Sequence, residues 1–185
     1  MAGAPGPASG PWWGWHQLDA RWARRLVTEA VCESGIGRGA LVVDIGAGTG
    51  ALTRPLVEAG ARVIAVEAHP GRAAELRARF GGAVVVVQVD AGDLRLPRRP
   101  YHVVANPPFG LTTALLRRLL QPGSRLQSAR LVLQPGSAAR WAGPSAPGRR
   151  RWERDFDVTL GARLPAAAFH PRPPVGARVL VVDRR

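Results

Sequence analysis

At 185 residues, 46% of them hydrophobic, the chain can bury one substantial core but not two, so a single domain is expected. No apolar run approaches the roughly 18 to 20 residues that cross a bilayer, and the opening "MAGAPGPASGPWWGWHQ" has neither the charged nor the apolar stretch of an export signal. Membrane and exported classes are set aside, and a cytoplasmic protein is expected. The formal net charge is +13, and all 26 basic residues are arginine against 13 acidic ones. Such an excess favours a polyanionic partner, because phosphate contacts release counterions and guanidinium groups pair with phosphate bidentately. Charge alone does not say which nucleic acid.

Residues 1–11 are mostly Pro, Gly, Ala and Ser and predict a disordered tail ahead of one domain over 12–185. "DARWARRLVTEAVCESG" places Trp22, Leu26 and Ala30 on one helical face, with Asp19 as N-cap and Gly35 as terminator. Cys32, the only cysteine, falls in that pattern and predicts a buried thiol with no intrachain disulfide. Short β-branched runs at 40–46, 62–67, 83–90, 101–106 and 129–134 predict strands covered on both faces. Between them, Thr49 to Ala59, Gly71 to Phe80 and Thr112 to Leu120 predict helices, the last with Leu115, Leu116, Leu119 and Leu120 in one stripe. The alternation implies an α/β, Rossmann-like, doubly wound and mostly parallel sheet with helices on both faces. The segment between Leu133 and Trp152, rich in Pro, Gly and Arg, predicts a short helix and then a flexible basic loop. "FDVTLGARLP" and "GARVLVVDRR" are joined by too few residues for a crossover helix, so they predict an antiparallel edge that completes seven strands.

In "VVDIGAGTGALT" a strand ends near Asp44 and glycines follow at Gly46, Gly48 and Gly50, which lets the backbone turn and a ligand approach it closely. Such loops also serve dinucleotide enzymes, so the loop by itself does not name the cofactor. Glu67, about twenty residues on, is placed for ribose hydroxyls. Asp90 ends the third apolar run and can accept from an adenine amine, with the Ala91 N–H facing the ring; Asp93 is the alternative reader. The loop lacks a P-loop lysine, and no arginine follows Glu67 closely enough to take a 2′-phosphate. Adenosine without phosphate fits best, and S-adenosylmethionine is the common cofactor of that kind. No metal site is assigned.

The fourth strand runs into "NPPF". An amine conjugated to a ring is a poor nucleophile, and it must pyramidalise before it can attack a methyl sulfonium. Acceptors at the Asn106 side-chain oxygen and the Pro107 carbonyl, aimed at its two hydrogens, favour that geometry. Proline fixes φ and so fixes where the carbonyl points. Phe109 is placed to stack on a planar substrate. This specifies methyl transfer to a planar nitrogen; adenine in RNA, adenine or cytosine in DNA, and a protein glutamine amide all remain open.

With "VVDIGAGTGALT", "VVANPPFGLTTALLRRLL", "ARLVLQ" followed by "AARWAG", and "FHPRPPVGARVLVV" in this order, the chain resembles the erythromycin-resistance (Erm) methyltransferases, relatives of the ribosomal RNA adenine dimethylases, over roughly residues 15–185. The resemblance implies a class I S-adenosylmethionine-dependent methyltransferase that modifies N6 of one adenine in 23S rRNA, before the large subunit is fully assembled, and so blocks macrolide-type antibiotics. It implies cofactor contacts at Gly46, Glu67, Asp90 and Asn106, with Asn106 and Phe109 facing a flipped-out base. Where the family has Q-N-F-L or Q-H-F-L, this chain has "WHQL", and His16 and Leu18 take the contacting places beside Trp12, Trp13 and Trp15. That tryptophan cluster is either a lid or stacking platform, or a plain aromatic cluster. Family members continue into a helical domain, whereas this chain stops at Arg185, so the expectation is a monomeric catalytic domain without it, with RNA held by Arg149, Arg150, Arg151 and Arg154. Methylation of DNA or of a protein amide, and a catalytically silent RNA-binding remnant, are the competing readings. Mono- and dimethylation are not separated by sequence.

Overall fold

A computed structural model describes residues 16–185. Trp12, Trp13, Trp15 and the expected tail lie outside the described residues. In chain order the elements are β1 (Gln17–Leu18), α1 (Ala20–Ser34), β2 (Leu41–Ile45), α2 (Thr53–Glu58), β3 (Arg62–Val66), α3 (Pro70–Phe80), β4 (Val84–Val87), β5 (Tyr101–Ala105), α4 (Thr112–Leu119), β6 (Leu126–Leu133), α5 (Pro135–Ala142), α6 (Arg149–Trp152), β7 (Phe156–Leu164), β8 (Phe169–His170) and β9 (Ala177–Arg184). Seven strands form one sheet in the order β4-β3-β2-β5-β6-β9-β7, and only β9 runs against its neighbours. β1 and β8 make a separate antiparallel pair. The expected mostly parallel sheet with an antiparallel C-terminal edge is present. Its strand order reverses between β2 and β5, which opens a crevice at their carboxyl ends.

Apolar residues cover both faces of the sheet. On one, Leu115, Leu116 and Leu119 of α4 and Trp141 of α5 pack with Leu131, Leu133 and Leu180. On the other, Leu26, Val27 and Ala30 of α1 pack with Val42, Leu56 and Val63. α1 begins where Asp19 accepts from the Arg21 N–H at 2.9 Å and stops at Gly35, whose φ of 65° is left-handed. Among the described residues no helix is long and apolar enough to cross a membrane.

Several expectations need correction. Cys32 is exposed: it lies two residues beyond the buried Ala30, about 200° around the helix, and so faces away from the core. The strand expected over 83–90 ends at Val87, because β3 ends at its register partner Val66 and offers no further pairing. α2 is shorter than expected, since residues 49–52 form the turn that leads into it. The basic loop after α5 is instead a turn followed by α6. Trp152 is 5% exposed and packs against Trp141 with ring centroids 6.5 Å apart, so two large anchors hold a segment whose Pro and Gly content suggests a loop.

Candidate active site at the carboxyl ends of the parallel strands

The glycine-rich loop is fastened to its neighbours before any ligand is considered. Gly46 and Ala47 donate to the Val66 carbonyl at 2.9 and 3.0 Å, and the Gly48 N–H donates to Glu67 Oε2 at 2.9 Å. At Gly46, φ is 77°, and a Cβ there would lie 3.2 Å from Pro108 Cδ and 3.4 Å from the Asn106 carbonyl oxygen. Glycine at 46 therefore lets the glycine-rich loop touch the Asn-Pro-Pro tip.

Glu67 ends β3 and is 4% exposed. Its Oε1 accepts from the His69 N–H at 2.8 Å and from Arg72 at 2.9 and 3.1 Å. An arginine does follow Glu67 closely, contrary to expectation, because α3 starts at Pro70 and its first turn folds Arg72 back onto the carboxylate. Oε2 accepts from Gly48 and has a second lone-pair site with which it can accept once more.

Asp44 lies under the loop, 1% exposed. Burial, its largest influence, pushes its carboxyl up to about 7; Glu67 adds to the rise and the Thr53 hydroxyl, donating to Oδ2 at 2.7 Å, opposes it. Oδ1 is buried with no hydrogen-bond partner. A cofactor that carries positive charge and a ribose fits this set of a donor-poor buried carboxylate and a half-used Glu67.

Asp90 does not end a strand. It is exposed, and its Oδ1 accepts from the Gly92 N–H at 2.7 Å, so it shapes its own turn. Ala91 is buried beside it, and Arg118 of α4 donates to the carbonyls of Ala91, Gly92 and Leu94, which ties the whole loop to the next helix.

At the tip, Asn106 is half-buried and its Nδ2 donates to the His16 carbonyl at 2.7 Å. A backbone carbonyl only accepts, so the amide must turn its nitrogen to His16 and its oxygen away. Pro107 is buried, and the Leu111 N–H closes onto the Pro108 carbonyl at 3.0 Å. The Phe109 side chain lies outside the described residues.

The segment His16–Leu18 straps these parts together. Leu18 is 2% exposed and belongs to the core, β1 pairs with β8, and His16 Nδ1 donates to the Pro171 carbonyl at 2.6 Å. Gln17 Oε1 accepts from the Thr49 hydroxyl of the glycine-rich loop at 2.6 Å. Sequence reasoning missed Gln17 and Thr49. Its available signal was an amide standing where the similar family segment has phenylalanine.

The structure does not bring the basic cluster here. β7 starts beside the end of β9, with Phe156 paired to Arg184, and this is the end of the sheet away from Asn106. α6 and Arg154 lead into that start, a strand length of about 25 Å from the tip. Arg149 is further engaged by Glu153 at 2.9 Å and the Gly143 carbonyl at 3.1 Å.

Comparisons with known proteins agree with this arrangement. The sequence model described as "Ribosomal RNA adenine dimethylase" matches residues 22–185. An "rRNA adenine N-6-methyltransferase" of Corynebacterium diphtheriae is 39% identical over 146 residues, covering 77% of this chain and 57% of that protein. The "Mycinamicin-resistance protein MyrB" of Micromonospora griseorubida is 36% identical over 148 residues, covering 78% and 47%. The chain thus spans about half the length of the curated relatives it matches. The crystal structure of the 23S rRNA methyltransferase ErmE superposes with a TM-score of 0.79 at 24% identity, covering 91% of this chain and 69% of that one, which shows the fold. That fold is the Rossmann-like one of class I S-adenosylmethionine-dependent methyltransferases. By its sequence over residues 22–185, and with a glycine-rich loop, acidic strand end and Asn-Pro-Pro-Phe tip assembled in one crevice, the chain belongs to the ribosomal RNA adenine dimethylase family.

Proposed function

We propose that this chain methylates N6 of a specific adenine in 23S rRNA, using S-adenosylmethionine, and so confers resistance to macrolide-type antibiotics. The observation that carries the reading is the Asn106 amide, held by His16 so that its oxygen is turned away from the strap and free to accept. With the Pro107 carbonyl it offers two acceptors to the two hydrogens of an adenine amine. Holding both hydrogens frees the nitrogen lone pair for attack. Phe109 is the residue assigned to stack on the flipped base. Neither Asn106 nor Pro107 titrates, so these groups orient the amine and the proton leaves to solvent after the nitrogen has gained positive charge. When bound, S-adenosylmethionine supplies the electrophilic methyl carbon. Gly46, Gly48, Glu67, Asp90 and Ala91, with His16, Leu18 and the Asn106 backbone, are the residues assigned to hold it. Asp44 lies buried beside them, and its carboxyl, pushed up to about 7 by burial, ionises in response to a cationic ligand.

The family description does not name the ribosomal subunit. The assignment to 23S rRNA draws support from the resistance-type relative and from the Erm-like segments of the sequence. The protein acts as a monomer in the cytoplasm, on RNA not yet enclosed in the large subunit. The test is transfer of a labelled methyl group by the purified protein to 23S rRNA, 16S rRNA, duplex DNA and a peptide release factor, offered separately. Label on 23S rRNA alone is expected. Label on 16S rRNA, DNA or the protein amide overturns the assignment, and RNA binding without any transfer identifies a silent remnant.

A further inference from the structure

The two ends of the sheet differ in what their arginines face. β9 runs between β6 and β7 and against both, so the paired Leu164 and Ala177 sit at the same end as Asn106, and the connection over 165–176 crosses that end. From residue 158 to 182 there is no acidic residue, whereas Arg163, Arg172, Arg178 and His170 all fall there. Arg163 and Arg178 stand directly opposite each other in the β7–β9 register, an arrangement in which like charges destabilise a sheet unless an anion lies between them. Arg163 and Arg172 are exposed, and no salt bridge holds either of them among the described residues. Arg178 is half-buried, and its Nε is buried without a partner. At the other end Glu153 pairs with Arg149 and Asp157 with Arg185, while Arg150, Arg151 and Arg154 carry no salt bridge among the described residues.

Of these, Arg172 is connected to the tip. Asn106 donates to His16, His16 donates to Pro171, and Arg172 is the next residue. Two hydrogen bonds and two residues separate the Asn106 amide from Arg172, on the order of 15 Å by standard lengths. That is a span of two or three nucleotides. Phe169, 1% exposed, and Ala168, fully buried, anchor the connection from beneath, so its cations stand on a packed base. Val175, 57% exposed, adds an apolar surface among them.

We propose that Arg163, Arg172 and Arg178 form the phosphate-binding edge of the RNA path, gripping a single-stranded segment beside the adenine delivered to Asn106. This rests on the RNA-methylation reading above. The Arg149 to Arg154 cluster, about 25 Å away, contributes long-range attraction and does not set which nucleotide reaches the tip.

The test measures binding of the full chain to a transcript covering the peptidyl-transferase region of 23S rRNA, with log K followed against log [KCl]. Each phosphate contact on a single strand contributes about 0.7 to the slope. The double variant Arg163→Gln/Arg172→Gln, both exposed positions, is expected to flatten the slope by about 1.4, while Arg150→Gln/Arg151→Gln changes it by less than half as much. A slope unchanged by the first pair, or flattened more by the second, overturns the proposal. A thermal melt matching the parent shows that both variants fold. If the parent protein methylates the transcript yet the first pair leaves the slope intact, only this interface fails; if the parent neither binds nor methylates the transcript, the RNA reading itself fails. Equal affinity and slope on duplex DNA would replace RNA as the occupant.

Discussion

Asp44→Asn separates what the glycine-rich loop does for a cofactor from what it costs the fold. In the folded chain the Asp44 carboxyl titrates at about 7 against 3.8 unperturbed, chiefly through burial. The folded state therefore holds that proton more tightly than the unfolded chain, so stability is greatest below pH 3.8, falls as pH rises toward about 7, and is flat above. About three units at ~1.4 kcal/mol each make the loss about 4 kcal/mol, a large share of the roughly 5–15 kcal/mol that holds a domain. Asparagine keeps an oxygen for the Thr53 hydroxyl and carries no charge. Its unpartnered NH₂ costs about 1–3 kcal/mol at every pH, so the informative quantity is the slope of the difference between variant and parent. Taking that difference also removes His102, whose pKa burial lowers and which acts with the opposite sign, costing stability as pH falls below 6.5. Urea unfolding followed by tryptophan fluorescence at pH 5, 6, 7 and 8 should show the variant gaining on the parent by about 3 kcal/mol across that range. Cofactor affinity should move the other way. A positively charged ligand draws Asp44 into its ionised form, so the parent should bind S-adenosylmethionine more tightly as pH rises to 7, and the variant weakly and without pH dependence. A stability difference that is constant from pH 5 to 8 would refute the reasoning.

Gly46→Ala should lower stability by about 1–2 kcal/mol, the cost of a side chain at positive φ, and should cut turnover as well, because its Cβ presses on Pro108 and on the Asn106 backbone; loss of stability with unaltered turnover would disconnect loop from tip. Gln17→Ala removes the tie to Thr49 and should slow methyl transfer at saturating cofactor several-fold, with Gln17→Glu restoring an acceptor and part of the rate; a change confined to cofactor affinity would show that the strap serves the cofactor alone. The exposed Cys32 thiol should react with a disulfide reagent in the native protein, without denaturant and without loss of activity; a thiol titrating only after unfolding would contradict the helix orientation.

The sheet was legible because most of its parallel strands hold short apolar runs rich in valine and isoleucine. Order along the chain was enough to place Asp44, Glu67 and Asn106 at one end of it. Strand ends were less legible: "AVVVVQVD" stays apolar beyond Val87, and only the length of the neighbouring β3 shows where pairing stops. That is why Asp90 looked like a strand end and is a turn residue. Cys32 was misjudged because apolar neighbours in sequence conceal the 100° step of a helix. Trp141 and Trp152 meet only when α6 is brought back onto α5, so their pairing is invisible in a segment rich in proline and glycine. The contact between Asn106 and His16 spans 90 residues and has no local signature. Charge was visible in the run Arg149 to Arg151, but the end of the sheet it occupies follows from the insertion of β9 between β6 and β7.

In the proposed reaction an amide oxygen and a carbonyl at the end of β5 hold an adenine amine for methylation. Its most direct test is mass spectrometry of nuclease-digested 23S rRNA after incubation with S-adenosylmethionine and either the parent protein or Asn106→Ala, with cofactor affinity measured on both. Methylated adenosine from the parent, none from the variant, and cofactor affinity changed only modestly is the predicted result. Equal yields of methylated adenosine from the two proteins, or a methyl group found on a nucleoside other than adenosine, would contradict it.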